Sequence, residues 1–393
     1  MTRHNKFHIL FSSFLLLIFP SLCFGEQVVD EVFGYSLDLP EGFELVDQIE
    51  EDKTYQFQHQ NLPLTLISKI YDDQGFFETQ DALDYALSRL SAKYDIDTFT
   101  WNNSNCAISN FIFSLDKQYT GWAVAAPLGL DTYLVLLTYG PTDVTSQLLD
   151  FMYSSLNSLC INEYFFNTPG IVTTYAYPDE GDVEYCVNIA GKDIKGTLDK
   201  IDSEASDFVI NMEFRILTKY ANHPLMYEAW SRYYRMVYRD NYGRITNFSK
   251  NALDVLYPLA EEKRPENPEI QYAQYLLTWV QNQSYVRAEK RSDSDFSSLP
   301  SIILGGGSDC DSRSMIVASM LEYCGIDSLL LIYPEFSHAL VATYIPGAQG
   351  QMFTNPENKE DYIMGETTAK GITWGMIKED QADRSKCFSI SFP

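Results

Sequence analysis

The sequence predicts an α+β chain of several domains, and three observations carry that expectation. A length of 393 residues allows two to four domains of roughly 100–200 residues, each able to bury its own core. Apolar residues at 45% against charged residues at 21%, with 27 Tyr and 24 Phe, exclude a disordered polypeptide. Strand-like alternation and helical stripes occur in separate runs along the chain rather than in strict βα alternation. The formal net charge of -26 repels phosphate backbones and anionic surfaces, so no nucleic acid is expected as a partner.

Residues 1–25 read as a signal peptide. Arg3 and Lys6 precede an apolar run from Ile9 to Phe19, Pro20 breaks it, and Cys23-Phe24-Gly25 offers a small residue at the cut, placed after Gly25. A membrane anchor is the alternative, but this core is much shorter than the ~20 residues a bilayer requires. A lipid-modified Cys23 is disfavoured by Leu22, which stands where a small residue belongs. The protein is therefore expected to be exported, periplasmic or extracellular, and free to associate with the envelope. The remaining cysteines are Cys106, Cys160, Cys186, Cys310, Cys324 and Cys387. Export permits disulfides; with Cys310 and Cys324 expected free, Cys106 and Cys160 form the best pair because both fall in one domain.

Residues 26–165 form an N-terminal α/β domain. Tyr35, Leu37 and Leu39 alternate with Ser36 and Asp38 as in a half-buried strand, and Pro40-Glu41-Gly42 ends it in a turn. Leu83, Leu87, Leu90 and Tyr94 make one helical stripe, and Leu148, Met152, Ser155, Leu156 and Leu159 another. Strand-like runs at Asn110–Leu115, Trp122–Ala126 and Tyr133–Tyr139 lie between them. The opening Gly34-Tyr-Ser-Leu-Asp-Leu-Pro-Glu-Gly-Phe43 and this element order resemble the small α/β sandwiches of the PsbP type, a likeness that implies no chemistry.

Residues 166–260 read as a mixed linker domain starting near Pro169-Gly170. Val183, Tyr185, Val187 and Ile189 alternate as a strand, Phe208–Leu217 is a second apolar segment, and an aromatic-rich helix is expected from Leu225 to Leu256. Residues 261–393 form the last domain. Asn267-Pro268 is a helix start with a capping side chain and proline in the first turn, and that helix should reach Gln283. A polar loop follows to Ser298, and Pro300–Gly307 ends in three glycines.

Chemistry concentrates after that point. Ser308 is expected to cap a helix that opens with Asp309-Cys310-Asp311 and stops at Cys324-Gly325. Cys310 falls in the first turn, where free amide groups and the helix dipole favour a thiolate, on the inward face shared by Val317, Met320, Leu321 and Cys324. Cys324, at the far end, reads as a small core residue. A nucleophilic thiol needs a base, and His338 opens the strand-like run to Ile345, whereas His59 and His223 lie in other domains. The run Asp361–Thr368 can pair with it as a hairpin, which makes Glu366 the best acceptor for the second imidazole nitrogen and Asp361 the weaker one.

Trp279-Val-Gln-Asn-Gln-Ser-Tyr285, Leu299–Ser314 with its Gly-Gly-Gly-Ser-Asp-Cys310, Met320–Ile326, His338-Ala-Leu-Val-Ala and Tyr362-Ile-Met-Gly-Glu-Thr-Thr368 together resemble the transglutaminase-like superfamily of papain-related cysteine hydrolases, closest to its bacterial exported type. The likeness spans about residues 268–378. It implies a papain-like fold with Cys310 as nucleophile, His338 as general base and then acid, and Glu366 as the orienting carboxylate, with no cofactor and no metal. Three departures stand out: Ser308 for the usual glycine, Glu366 where Asp is commoner, and Leu340 and Val341 where a Trp often follows the His.

The expected function is hydrolysis of amide bonds in a peptide or protein substrate through an acyl-enzyme. A protein-glutamine transamidase and a non-catalytic envelope binding protein are the alternatives. Trp279, Gln281 and Gln283 precede the cysteine and are expected to serve packing or helix surface. No zinc-type Cys/His pairing occurs after residue 25, and Asp293-Ser-Asp295 and Asp309-Cys-Asp311 lack the glycine and distal Glu of a calcium loop.

Overall fold

β-Branched and aromatic residues alternating with polar ones build the first part of the chain, seen in a computed structural model that describes residues 27–49, 53–162, 166–287, 293–378, 381 and 383–392. The signal peptide and its cut lie outside the described residues. Strands β1 (Gln27–Asp30), β2 (Tyr35–Asp38), β3 (Phe43–Ile49), β4 (Thr54–His59) and β5 (Thr65–Asp72) lead into helix α1 (Thr79–Arg89). Strands β6 (Lys93–Trp101), β7 (Ser104–Ser114), β8 (Gln118–Gly129) and β9 (Thr132–Pro141), helix α2 (Thr145–Asn157) and the short strand β10 (Cys160–Ile161) follow. Seven of these strands make one antiparallel sheet in the order β3-β4-β5-β9-β8-β7-β6, while β1, β2 and β10 form a small second sheet.

The period of two explains how both faces of the large sheet are covered. Ala123, Ala125, Val135 and Leu137 face α1 and its Ala82, Leu83 and Leu87. Val124, Ala126, Leu134 and Leu136 face the other way, toward Leu148, Met152 and Leu156 of α2. Tyr94, expected in the α1 stripe, lies instead on β6, because the helix stops at Arg89; its hydroxyl donates back to Asp84 Oδ1 at 2.8 Å.

Helix α3 (Ile171–Ala176), the hairpin of β11 (Asp182–Ile189) and β12 (Lys192–Asp199), helix α4 (Asp202–Leu217) and helix α5 (Met226–Lys263) form the middle. The apolar segment Phe208–Leu217 is the second half of α4. Helix α5 has 38 residues, about 57 Å at 1.5 Å per residue, and it crosses residue 260 without a break. Its arginines tie it to the N-terminal sheets. Arg232, almost fully buried, reaches Glu213 at 2.6 Å, Ser154 Oγ at 2.7 Å and the Asp38 carbonyl at 2.8 Å. Arg239 donates to the carbonyls of Asn157, Leu159 and Thr168, closing the C-terminal end of α2. One apolar cluster accordingly runs from Tyr35 to Ile390.

The expected bridge between Cys106 and Cys160 does not form. Both thiols are free, since Cys106 sits within the large sheet on β7 and Cys160 on β10, where its thiol turns to the Asn162 carbonyl at 3.2 Å.

Helices α6 (Pro268–Gln281), α7 (Leu299–Ile303) and α8 (Cys310–Tyr323) precede strands β13 (Ser328–Tyr333), β14 (His338–Thr343), β15 (Met352–Thr354), β16 (Asp361–Gly365) and β17 (Phe388–Ser391). Asn267 caps α6 by accepting from the Ile270 amide at 3.2 Å, and the helix ends two residues short of Gln283. The strands form an antiparallel sheet in the order β15-β16-β14-β13-β17, with α8 packed on β14 and β13. Val341 pairs with Gly365 and Thr343 with Ile363, so the segment after β16 returns toward the start of β14. Among the described residues, no helix is long and apolar enough to cross a membrane.

Candidate active site

Helix α8 begins with a reciprocal cap. Asp309, not Ser308, is the N-cap: its carboxylate accepts from the Ser312 amide at 3.0 Å, and Ser312 Oγ accepts from the Asp309 amide at 3.1 Å. Ser308 is left to accept from Arg313 Nε at 2.9 Å. The aspartate wins the cap because a carboxylate is the stronger acceptor at the positive end of a helix. Cys310 is therefore the first helical residue, and it is 3% exposed.

His338 begins β14, immediately after Ser337, whose φ of +46° turns the chain out of the Pro334–Phe336 turn. Its Nε2 lies 2.9 Å from Glu366 Oε2. Glu366 is buried, and its other oxygen accepts from the Thr368 amide and hydroxyl, both at 2.7 Å. Burial raises the Glu366 pKa, but the His338 hydrogen bond and charge and the two Thr368 donors outweigh it, so the carboxyl falls below its ordinary value. The carboxylate is held ionised and aimed at the imidazole, which fixes the ring in place.

Two further side chains lock the segments around this pair. Gln281, 1% exposed, donates to the Glu366 carbonyl at 2.9 Å and the Ile372 carbonyl at 3.2 Å, and accepts from the Gly371 amide at 3.2 Å. Arg313, 2% exposed, donates to Ser308 Oγ, to the Gln283 carbonyl at 2.7 Å and to the Thr367 carbonyl at 3.4 Å, with its guanidinium over the Tyr285 ring. Gly365 is required where it stands, because a Cβ there would come within 2.7 Å of the Trp374 ring.

The thiol does not behave as the helix position suggests. Helix α8 packs on β14, and Ser314 Oγ, one turn after Cys310, donates to the Ala339 carbonyl at 3.4 Å, which brings the first turn of the helix to the head of that strand. The thiol itself donates to Asp311 Oδ1 at 3.0 Å, and Asp311 Oδ2 accepts from the buried Tyr234 hydroxyl on α5. Burial, then the charges of Asp311 and Asp309, then the Asp311 hydrogen bond push the thiol well above its usual pKa; the Ala339 amide pulls the other way. The expectation of a resting thiolate is thus corrected. Burial first, and then the Asp311 charge, outweigh the dipole, whose effect is worth only about 0.3–1 kcal/mol. Asp309, buried beside Asp311, has its own carboxyl pushed up, by burial first and then by the Asp311 charge.

Of the residues singled out in the sequence, His338 and Glu366 are in direct contact, and Cys310 opens the helix that packs on the His338 strand. Asp361 does not join them; it is exposed at the start of β16 and accepts from Thr354 Oγ1 at 2.6 Å. His59 is buried between Phe43 and Phe151. Ligand atoms of Asp309, Cys310 and Asp311 lie within 4.8 Å of one another, one short of the four that a structural zinc takes, with two of the three already committed to Ser312 and Tyr234. Arg313, Asp311 and Tyr234 were not anticipated as site residues. The signal for Arg313 was an isolated cation inside the apolar stretch from Ser312 to Leu321.

No family model and no curated protein matches the chain. Among solved structures, a cyanobacterial PsbP (CyanoP) from Synechocystis is similar at 10% identity over 36% of this chain and 95% of that one, with a TM-score of 0.31. A Bacteroides thetaiotaomicron protein is similar at 9% identity over 58% of this chain and 78% of that one, with a TM-score of 0.27. A Pseudomonas aeruginosa protein of unknown function is similar at 8% identity over 32% of this chain and 90% of that one, with a TM-score of 0.22. Likenesses at these scores carry no argument about this chain.

Proposed function

We propose that this protein is an exported cysteine hydrolase that cleaves amide bonds of peptides or proteins, its catalytic part a transglutaminase-like domain of papain type. The observation that carries the reading is the 2.9 Å contact between His338 Nε2 and the buried, doubly anchored Glu366, beside the cysteine that opens α8. Glu366 holds the imidazole by one nitrogen and leaves the other for the thiol proton.

In this mechanism Cys310 gives its proton to His338 as the sulfur attacks the substrate carbonyl. The resulting oxyanion is met by backbone donors at the α8 N-terminus, such as the Cys310 amide. The bond to nitrogen breaks as His338 returns the proton to the leaving amine, and the acyl-enzyme remains. Water, deprotonated by His338, then releases the acid and restores the thiol. The Asp311 hydrogen bond keeps the free enzyme in its unreactive thiol form, and substrate binding must turn the sulfur away from it.

A second reading, a non-catalytic envelope binding protein, is favoured by the same buried, acid-flanked thiol. A transamidase would differ only in the nucleophile that resolves the acyl-enzyme. The deciding experiment measures ammonia release and peptide cleavage from Gln-containing peptides, with and without an added primary amine. Cleavage lost in both Cys310→Ala and His338→Ala supports the hydrolase, and amine incorporation supports the transamidase. No turnover and no acyl-enzyme by mass spectrometry leaves the binding protein.

A further inference from the structure

The β11–β12 hairpin carries a free strand edge that faces a cavity, and the register of the hairpin says which backbone groups are available there. Ile189 pairs with Lys192 across a two-residue turn, in which Ala190 and Gly191 have φ of +52° and +77°. Such a turn makes the closing pair a hydrogen-bonded one, so the Val187–Ile194 and Tyr185–Gly196 pairs are bonded too. The amides and carbonyls of Glu184, Cys186 and Asn188 must then point away from β12. Lys195, opposite Cys186, supplies the check: its carbonyl also points outward and accepts from Asn251 Nδ2 of α5 at 3.1 Å. The outer edge of β12 is therefore covered by α5. Along β11, no backbone partner is found for the outward groups among the described residues.

That edge forms one wall of a cavity of about 860 Å³. One face of α6, with Gln271, Gln274 and Thr278 at helical spacing, forms the other, and Asn282, Gln283 and the segment Ile302–Gly305 close an end. The volume is in the range of specific ligand sites, about 300–1,000 Å³. The peptide groups of the strand wall recognise peptide backbone, whereas on the helical wall Gln274 is already bonded to Thr278 Oγ1 and to the Trp374 amide. The cavity and the candidate site are linked through the chain, since Arg313 donates to the carbonyl of Gln283, which lines the cavity. Gly305 precedes Cys310 by five residues, at most about 18 Å of extended chain, and Gln283 precedes Tyr285, which packs beneath Arg313.

We infer that this groove binds an extended peptide segment, which adds to β11 as a third strand and pairs with Glu184, Cys186 and Asn188, and that it holds the substrate polypeptide away from the scissile bond. The second clause rests on the hydrolase reading; the first does not. Strand addition takes affinity from main-chain hydrogen bonds and selectivity from alternate side chains. Here the alternate side chains meet Gln271, Tyr275, Ile302, Ile303 and Leu304, so the segment bound best is uncharged and carries apolar residues at alternate positions.

Cys186 is an exposed thiol on the proposed edge, and it reports occupancy directly. In Cys310→Ala protein, iodoacetamide modification of Cys186 is followed by mass spectrometry with and without 1 mM of an end-capped degenerate hexapeptide mixture, using roughly the concentration at which weak peptide docking saturates. The mixture is expected to slow the modification at least about five-fold, and an alternately N-methylated mixture, which cannot pair with a strand edge, is expected to leave it unchanged. No slowing, or equal slowing by both mixtures, overturns the groove. Protection of Cys186 in wild-type protein that cleaves nothing keeps the groove and removes the hydrolase.

Discussion

Replacing Asp311 by Asn should awaken the Cys310 thiol. The change removes a charge whose oxygen is 3.0 Å from the sulfur while keeping an acceptor for the Tyr234 hydroxyl. Two unit charges at that distance interact by about 1 kcal/mol in water and about 5 kcal/mol at an effective dielectric constant of 20. Asp311 is half-buried, so solvent screening favours the lower part of that range. The sign follows from the charge: without the carboxylate the thiolate is less disfavoured, and the pKa falls by roughly 1–2 units. The thiolate fraction near pH 7.5 should rise roughly 10- to 100-fold in proportion. The assay is the rate of Cys310 alkylation by iodoacetamide between pH 6 and 10, read from the peptide carrying that residue. A variant rate less than about three-fold above the wild-type rate at the same pH, or below it, refutes the idea that Asp311 holds the thiol protonated.

Glu366→Gln should lower turnover of a cleaved peptide by about 10²–10⁴-fold with little change in KM, because it loses the charge that steadies the imidazolium; an equal rise in KM would point to a binding role instead. Arg232→Ala leaves Glu213 buried without its cation and should cost about 3–5 kcal/mol in urea unfolding, a loss under 1 kcal/mol contradicting the buried network. The Glu41 carboxyl is pushed up to about 7, by burial first, with Arg232 pulling the other way. A folded pKa above the unfolded value of about 4.3 means that this contribution is whole below about 4.3 and is lost as pH rises through 7. Glu41→Gln should therefore narrow the fall in Tm between pH 5 and pH 8, and an unchanged fall would refute that assignment.

Much of the fold was legible because the periods are local. The alternation around Trp122–Ala126 and Tyr133–Tyr139 marked β8 and β9, and the stripe from Leu148 to Leu156 marked α2. Element ends were less legible. Tyr94 fits the α1 spacing, yet the chain turns after Leu90, since the side chain packs equally well from a strand lying beside the helix. Helix α5 runs to Lys263, past the end expected at Leu256, and nothing in its local spacing marks what it packs on; its arginines find their partners on Asp38, Glu213 and the end of α2.

The candidate site divides the same way. Cys at a helix start, His at a strand start and an acid just after the pairing strand were readable from order and spacing, and the pairing of Val341 with Gly365 brings that acid back to the start of β14. The state of the thiol was not readable, because a pKa answers to burial and to charges on Asp309 and Asp311 whose side-chain directions are set by Ser312 and Tyr234. By itself, the sequence determined which segments become helix or strand and which side chains stand at their starts and ends, since those follow from neighbours a few residues away. Only the tertiary structure decided the free thiols, the acid-guarded sulfur and the open edge of β11, because each depends on what packs beside it from a distant part of the chain.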